Sequence, residues 1–181
     1  MKVMKIRSAV APDIQRLVGF NHTCESDYVW QLDLEKVQGQ ISVSLREIRL
    51  PRPVVVQYPR EQYALADEWK KNARTFVALG EDGAPIGYIR LFVQLSAASV
   101  WVMDLVVDTA ARRKGVATAL LQSIEGWAME RQYRQIFAEM SSKNNPAVSL
   151  MRKMGYEFSG YNDHYYATQD VALFYGKILK G

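Results

Sequence analysis

The sequence has little of what disulfide-bonded, membrane-spanning and metal-binding proteins are built from. Its 181 residues contain one cysteine, Cys24, which cannot form an internal disulfide, so we expect a cytoplasmic protein. The N-terminal residues lack the apolar run of a signal peptide, and no window approaches the ~20 apolar residues of a transmembrane helix. The two histidines, His22 and His164, stand far apart and lack the spacing of metal ligands, so we expect no metal site.

Positive charge is present but thinly spread. The net charge is +4, and the chain has no dense stripe of lysine and arginine, which argues against nucleic-acid binding. This mild excess suits a phosphate-rich ligand, although an ordinary solvated surface explains it equally well. Nearly half of the residues are apolar, so a chain of this length can bury a sizeable core. We predict a single domain over residues 1–181.

Strand and helix patterns alternate along the chain. The pattern predicts strands over residues 3–9, 40–50, 75–79, 86–94 and 97–107, and helices from Pro12 and over residues 59–72. Residues 21–39 read as irregular or helical, and Pro51 and Pro53 are expected to end the strand before them. Beyond residue 107 we predict a loop, a helix, a strand, a helix and two more strands. Strands and helices around a mixed sheet indicate the α/β or α+β class.

The most informative segment is a basic loop that joins an apolar strand to a helix. The loop contains Arg112, Arg113, Lys114 and Gly115. In the helix that follows, one face carries the apolar residues Ala117, Leu120, Leu121, Ile124, Trp127 and Ala128. We therefore expect this helix to pack on the sheet.

The start of this helix has the chemistry of an anion site. A helix N-terminus presents unsatisfied N–H groups and a partial positive charge. Gly115 and Ala117 remove side-chain bulk, so a phosphate can approach the backbone. The alternative is a solvated basic turn, which the position between an apolar strand and an amphipathic helix disfavours. The spacings of a P-loop and of a dinucleotide-binding fingerprint are both absent.

The loop resembles a signature of the GNAT acetyltransferases. Its residues Arg112-x-x-Gly115-x-Ala117 match the pattern Arg/Gln-x-x-Gly-x-Gly/Ala. The resemblance implies that the backbone of this loop binds the pyrophosphate of coenzyme A, and that the preceding strand contacts the pantetheine arm. The cofactor contacts implied in this way are Leu105, Val106, Val107, Arg112, Arg113, Lys114, Gly115, Val116, Ala117 and Thr118.

A second block resembles the same family. The chain reads Asn144-x-x-Ala147-x-x-Leu150-Met151-x-Lys153-x-Gly155-Tyr156, and the family pattern is Asn-x-x-Ala-x-x-Leu-Tyr-x-Lys-x-Gly-Phe. Asn145 and Pro146 suit a helix start, and Gly155 suits a helix end. The resemblance implies that Asn144, Ala147 and Lys153 also contact the cofactor. Within the superfamily, the loop and the aromatic-rich tail are most similar to streptothricin acetyltransferases.

The resemblance implies a fold and an activity. The GNAT fold is a mixed, mostly antiparallel sheet of six to seven strands flanked by helices and splayed at the cofactor-binding strands. The implied reaction is direct transfer of the acetyl group of acetyl-CoA to a primary amine of a small molecule, such as a streptothricin-type antibiotic, or of a polypeptide. The alternative is a non-catalytic acetyl-CoA-binding sensor or scaffold. The family also implies a monomer or homodimer.

Two carboxylates are candidates for the base that deprotonates the acceptor ammonium. Glu139 is the first, because it lies on a strand five residues before Asn144, near the position of a catalytic glutamate in related enzymes. Its alternative role is to pair with a cation. Asp104 is the second, because a carboxylate within an apolar strand needs a partner or a cleft. For Asp104 the favoured expectation is an outward-facing solvated side chain.

The chain departs from the family pattern at Met151. Many members carry a tyrosine there that protonates the leaving thiolate, and methionine cannot donate a proton. Tyr156, Tyr161 or Tyr165 could substitute, water could protonate the thiolate, or the domain could bind acetyl-CoA without turnover. For Tyr156 a place in the core is favoured over a catalytic role.

Overall fold

The computed structural model describes residues 4–61, 63–69, 73–94 and 98–179. In chain order its elements are β1 (Ile6–Ser8), α1 (Ala11–Val18), β2 (Cys24–Val37), β3 (Gln40–Val56), α2 (Ala64–Glu68), β4 (Ala73–Leu79), β5 (Pro85–Gln94), β6 (Ser99–Val107), a 3₁₀ turn (Thr109–Ala111), α3 (Val116–Glu130), β7 (Gln135–Ser141), α4 (Asn145–Lys153), β8 (Glu157–Asn162) and β9 (Ala172–Ile178). Within these ranges, no helix is long and apolar enough to cross a bilayer.

The described strands form a seven-stranded sheet and a separate two-stranded hairpin. The larger sheet has the order β1–β4–β5–β6–β7–β9–β8, and β2 pairs with β3. Pairing is antiparallel from β1 through β4 and β5 to β6, and parallel between β6 and β7. This confirms the mixed, mostly antiparallel sheet and the meander that the sequence predicts. Ala97, the predicted first residue of β6, lies outside the described residues.

Residue contacts group the chain into two compact units. The first comprises Met1–His22, Arg60–Glu139 and Gly176–Gly181, and the second comprises Thr23–Pro59 and Met140–Tyr175. The first unit therefore holds the strands from β4 to β6, helix α3 and most of β7. The second holds the β2–β3 hairpin, helix α4 and strand β8.

Helix α3 packs on the sheet of the first unit, as predicted. It contacts β4, β5 and β6, and its buried residues are Val116, Leu120, Leu121, Ile124 and Ala128. Ala117 and Trp127, predicted for the same face, remain partly exposed. The start of α3 comes so close to β5 that a Cβ atom on Gly87 would meet Val116 Cγ1 at 2.9 Å. Glycine at this position therefore lets the helix start approach the sheet.

The second unit corrects two expectations. Residues 24–37 are a strand, not irregular or helical, and β3 continues past Pro51 and Pro53 to Val56. The pairing resumes at Ser26↔Val54 after Tyr28↔Arg49, so both prolines lie in an irregularity where no ladder hydrogen bond is required of them. The consecutive apolar residues Tyr28, Val29 and Trp30 interrupt the alternation in β2 and obscured its period-two pattern.

The helix predicted over residues 59–72 is shorter in the structure. Helix α2 spans Ala64–Glu68, and Pro59 and Arg60 form a bend before it. Residues 62 and 70–72 of the predicted helix lie outside the described residues. The bend matters for the site, because it carries the Arg60 side chain.

Candidate functional site

The basic loop has the backbone shape that an anion site needs. It leaves β6 at Val107, passes through the 3₁₀ turn and enters α3 at Val116. Arg113 has a φ of 64° and Gly115 a φ of 81°, so both adopt the left-handed conformation. That conformation is the reason glycine suits position 115.

The first turn of α3 leaves its N–H groups available. Its N-cap is Gly115, which has no side-chain cap, and its first turn contains no acidic residue. Arg113, Lys114 and Gly115 are exposed. Donor groups and positive charge at an open helix N-terminus are the chemistry that binds phosphate. These residues therefore fit the pyrophosphate of coenzyme A.

Arg112 directs its side chain to the protein rather than outwards. Its Nε donates to the Val107 carbonyl at 3.1 Å, and its Nη2 donates to the Asn21 carbonyl at 2.5 Å. The guanidinium thus ties the loop to the end of β6 and to the segment after α1. Arg112 therefore stabilises the loop backbone through these two hydrogen bonds.

Strand β6 has two differently paired sections. Leu105, Val106 and Val107 pair with β5, whereas the parallel pairing with β7 ends at Val102↔Ala138. The β7-facing backbone of these three residues lies beyond that ladder. This is the part of the strand that the resemblance assigns to the pantetheine arm.

The ladder between β6 and β7 ends at Val102 and Ala138; Glu139 follows directly and Asp104 follows after Met103, and arginines bind both carboxylates. Arg90 Nε donates to Asp104 Oδ2 at 2.5 Å, and Arg60 Nη1 donates to Asp104 Oδ1 at 3.1 Å. Arg60 Nη2 donates to Glu139 Oε1. The side chains of Asp104 and Glu139 are 0% and 5% exposed. The expectation that Asp104 faces solvent is therefore wrong, because two guanidinium groups compensate its buried charge.

A bulge in β6 supplies a further acceptor to this cluster. Arg90 pairs with Asp104 and Leu91 pairs with Val102, so Met103 is an extra residue on β6. Its carbonyl accepts a hydrogen bond of 2.8 Å from Arg60 Nη1. One guanidinium therefore contacts oxygens of Met103, Asp104 and Glu139.

Sequence reasoning missed Arg60 and Arg90. Arg90 had a detectable signal, because it is the single charge within the otherwise apolar strand β5. A buried charge in such a strand requires a partner. Arg60 had no such signal, since it lies in a charged segment that was predicted to be helical.

In the second unit, Asn144 caps helix α4. Its Oδ1 accepts hydrogen bonds from the Ala147 N–H at 3.1 Å and from Cys24 Sγ at 3.4 Å. Asn145 Oδ1 accepts a hydrogen bond of 2.9 Å from Trp30 Nε1. The helix start predicted at Asn145 is confirmed. Ala147 is partly exposed and Lys153 is exposed.

The tyrosines of the second unit differ in burial. Met151 is 3% exposed and Tyr156 is 2% exposed, in agreement with a core position for Tyr156. Tyr161 is partly exposed, and Tyr165 is 43% exposed. Burial raises the pKa of the Tyr175 phenol above its ordinary value, and the nearby charge of Arg152 opposes that shift.

The histidines take structural positions. His22 Nε2 lies 3.0 Å from the Tyr88 hydroxyl, and its Nδ1 lies 2.7 Å from the Phe20 carbonyl. His164 is exposed beside Asp163. Among the described residues, no group of histidine, cysteine, aspartate and glutamate side chains is arranged to hold a metal ion.

Several known proteins are similar to this chain in sequence or in fold. Residues 42–156 match the acetyltransferase (GNAT) family. A streptothricin acetyltransferase of Streptomyces lavendulae is 26% identical over 181 residues, which cover 98% of this chain and 89% of the relative. The crystal structure of a nourseothricin acetyltransferase has a TM-score of 0.82 and 23% identity, and the match covers 99% of this chain and 100% of that one.

A further solved structure shows the fold with the cofactor. A phosphinothricin acetyltransferase of Sinorhizobium meliloti, determined in complex with acetyl-CoA, has a TM-score of 0.69 and 20% identity. The match covers 98% of this chain and 89% of that one. The matched residues make up more than half of the chain. They include the basic loop, the end of the β6–β7 ladder and the second block. The chain belongs to the acetyltransferase (GNAT) family and is an acetyl-CoA-dependent N-acetyltransferase.

Proposed function

We propose that the chain acetylates a primary amine of a streptothricin-type small molecule by direct attack in a ternary complex. The observation that carries the proposal is the pair of buried carboxylates, Asp104 and Glu139, at the point where β6 and β7 stop pairing. Carboxylates at this place suit an acceptor that arrives as an ammonium ion. The similarity to a streptothricin acetyltransferase over 98% of the chain supports the same class of acceptor.

The residues proposed to hold acetyl-CoA are those of the two motif blocks. The backbone from Arg113 to Thr118 would bind the pyrophosphate, and Leu105, Val106 and Val107 would contact the pantetheine arm. Asn144, Ala147 and Lys153 complete the set by resemblance. When bound, acetyl-CoA supplies an acetyl group activated as a thioester. Arg112 supports the loop through its bonds to Val107 and Asn21.

Glu139 is the proposed base, and Asp104 is a positioning residue. Both oxygens of Asp104 are bound by arginines, so this carboxylate is fully committed to its partners. Glu139 sits on β7 between the buried residues Ala138 and Met140. A carboxylate in this position can take the proton that the acceptor ammonium must lose. Tyr156 is proposed as a packing residue, because its side chain is buried.

The proposal includes a single domain that acts in the cytoplasm. The family match from residue 42 to residue 156 runs through both compact units, which supports one functional domain over residues 1–181. A lone cysteine, Cys24, suits a reducing compartment.

An acceptor panel tests the proposal. The protein is incubated with acetyl-CoA and, separately, with streptothricin, spermidine and an unmodified N-terminal peptide, and thiol release is followed. We expect streptothricin to give the highest kcat/KM. Faster thiol release with the peptide would indicate that the acceptor is a polypeptide and not a small molecule. No release with any amine would contradict the proposed acceptor class.

A further inference from the structure

The β2–β3 hairpin of the second unit has one polar face and one apolar face. Because side chains alternate across a strand, every second residue of β2 shares a face with the residues that it opposes on β3. On the polar face, Asp33 accepts hydrogen bonds from Gln31 and Arg46. Gln40 donates to Ser42 on the same face. We term the opposite face the aliphatic face, and it carries Leu32, Leu34, Ile41, Val43 and Leu45.

The aliphatic face is open to solvent. Leu34, Ile41 and Val43 are 43%, 69% and 40% exposed, and Leu32 and Leu45 are partly exposed. The patch is contiguous, because these side chains oppose or neighbour one another across the two strands. A contiguous exposed apolar patch marks an interaction site, and a two-stranded hairpin gains stability when its apolar face packs on another surface. The aliphatic face therefore favours a partner that covers it.

The two ends of the aliphatic face carry charges of opposite sign. Lys36 lies on this face near the tip of the hairpin, and Glu47 lies on it near the base, where it opposes Trp30. Trp30 is six positions from Lys36 on β2, so the two charges are about 20 Å apart. Both are exposed, and neither forms an ion pair with any residue that the structure describes. An apolar stripe with a positive end and a negative end is complementary to a copy of itself that runs in the opposite direction.

We propose that the aliphatic face binds the same face of a second copy of this chain, with the two hairpins antiparallel about a twofold axis. The aliphatic side chains of the two copies interdigitate, as they do between stacked sheets. Lys36 of each copy then contacts Glu47 of the partner subunit, and the twofold axis creates this contact twice. A parallel arrangement is disfavoured, because it brings like charges together at both ends. A second copy thus satisfies the apolar stripe and both charges at once.

The size of the aliphatic face sets the expected affinity. Its five aliphatic residues and two end charges are fewer than the about 20–30 residues a side of a standard interface. We therefore expect a dimer with a dissociation constant in the micromolar range. Sedimentation equilibrium of the full chain from about 1 μM to about 0.3 mM measures this constant. A monomer throughout this range would overturn the proposal, and binding of that monomer to phosphatidylcholine vesicles would make a lipid surface the occupant instead.

A matched pair of variants shows which face of the hairpin forms the dimer. Val43→Glu places a charge in the middle of the aliphatic face, where dimer formation would bury it, so we expect the dissociation constant to rise at least about tenfold. Val37→Glu makes the same change on the polar face, at a side chain that is 55% exposed, and should leave the constant unchanged. Equal effects of the two variants, or a dimer that Val43→Glu does not weaken, would overturn the proposal.

A charge exchange tests the antiparallel arrangement with surface substitutions alone. Lys36→Glu and Glu47→Lys each place like charges together at both ends of the dimer, so each should weaken it about tenfold. The double variant restores opposite charges and should return to within about threefold of the wild-type constant. Within one chain the two side chains are about 20 Å apart, beyond the screening length of about 10 Å at 0.1 M salt, so only contacts between copies explain such a rescue. A double variant that dimerises no better than the single variants would overturn the proposal.

Discussion

Several arginine side chains, among them those of Arg7, Arg60, Arg90 and Arg112, are bound to oxygen atoms of the protein itself. The count of 23 lysines and arginines therefore overstates the number of positive side chains that are available to a ligand. Residue type alone cannot reveal these hydrogen bonds, because the partners of Arg7, Arg60, Arg90 and Arg112 are 6, 44, 14 and 5 residues away in the chain, respectively. At this scale, sequence reasoning identified the carboxylates Asp104 and Glu139 but not the arginines that hold them.

Asp13 shows how such a pair affects stability. Hydrogen bonds from Arg7 lower the pKa of Asp13 below its ordinary range, against the opposing effect of burial, and the Val10 N–H contributes in the same direction. A lowered native pKa stabilises the fold above the ordinary pKa near 3.9, and this stability is lost as pH falls through the native value.

Asp13→Asn should therefore reduce the free energy of unfolding by about 2 kcal/mol at pH 7, since a charged hydrogen-bonded pair is lost. The difference from the wild type should shrink as pH falls below about 4, where the carboxylate of the unfolded chain and then, at its lowered pKa, that of the native protein become protonated. Urea unfolding at pH 7 and pH 3 measures both values. As a control, Asp33→Asn breaks the exposed pair with Arg46 and should cost less than about 1 kcal/mol. A pH-independent deficit in Asp13→Asn would contradict the assignment.

At the scale of elements, local chemistry determined which segments were predictable. Helices α1, α3 and α4 carry start signals within their own sequence. The Asp82-Gly83 turn likewise predicts the hairpin of β4 and β5. Strand β2 was missed because its partner β3 decides its conformation. Leu32 and Leu34 share one face by their spacing, but this short signal follows an apolar run, and pairing with Leu45 and Val43 of β3 completes the apolar face.

The cap of α4 gives a prediction for this scale. Asn144→Ala removes the acceptor for the Ala147 N–H, so the free energy of unfolding should fall by about 1 kcal/mol. Asn144→Asp keeps an oxygen in the same place and should retain most of that stability. Urea unfolding of the three proteins measures the difference. Equal stability of the wild type and Asn144→Ala would show that the cap contributes nothing.

At the scale of the whole molecule, the family and the activity were predictable because two motif blocks suffice to define them. The cluster of Arg60, Asp104 and Glu139 was not, since it depends on a bulge, on the end of the β6–β7 ladder and on an arginine from a distant bend. These features arise when β5, β6 and β7 come together with the segment after β3. Their residues carry no common spacing in the sequence.

Cofactor binding should stabilise the folded protein as a whole. Acetyl-CoA at 100 times its Kd should raise the free energy of unfolding by about 2.7 kcal/mol. Gly115→Glu places bulk and negative charge at the start of α3 and should abolish this increase. Gly39→Glu is a matched control, because Gly39 has a φ of 78° and because, as at Gly115, an added Cβ atom would meet no other atom within 4 Å. Urea unfolding with and without acetyl-CoA gives each increase. An equal increase in Gly115→Glu would remove this loop from the cofactor site.

The burial of Asp104 and Glu139 also decides how the protein responds to ionic strength. Dissolved ions screen exposed charges such as Arg113 and Lys114 over about 10 Å at 0.1 M salt, but they hardly reach carboxylates that are 0% and 5% exposed. Added salt should thus weaken the attraction of the loop for a pyrophosphate, while the ion pairs of Arg60 with Asp104 and Glu139 change little. A salt series should therefore weaken cofactor binding at the loop and leave the ion pairs of Asp104 and Glu139 in place.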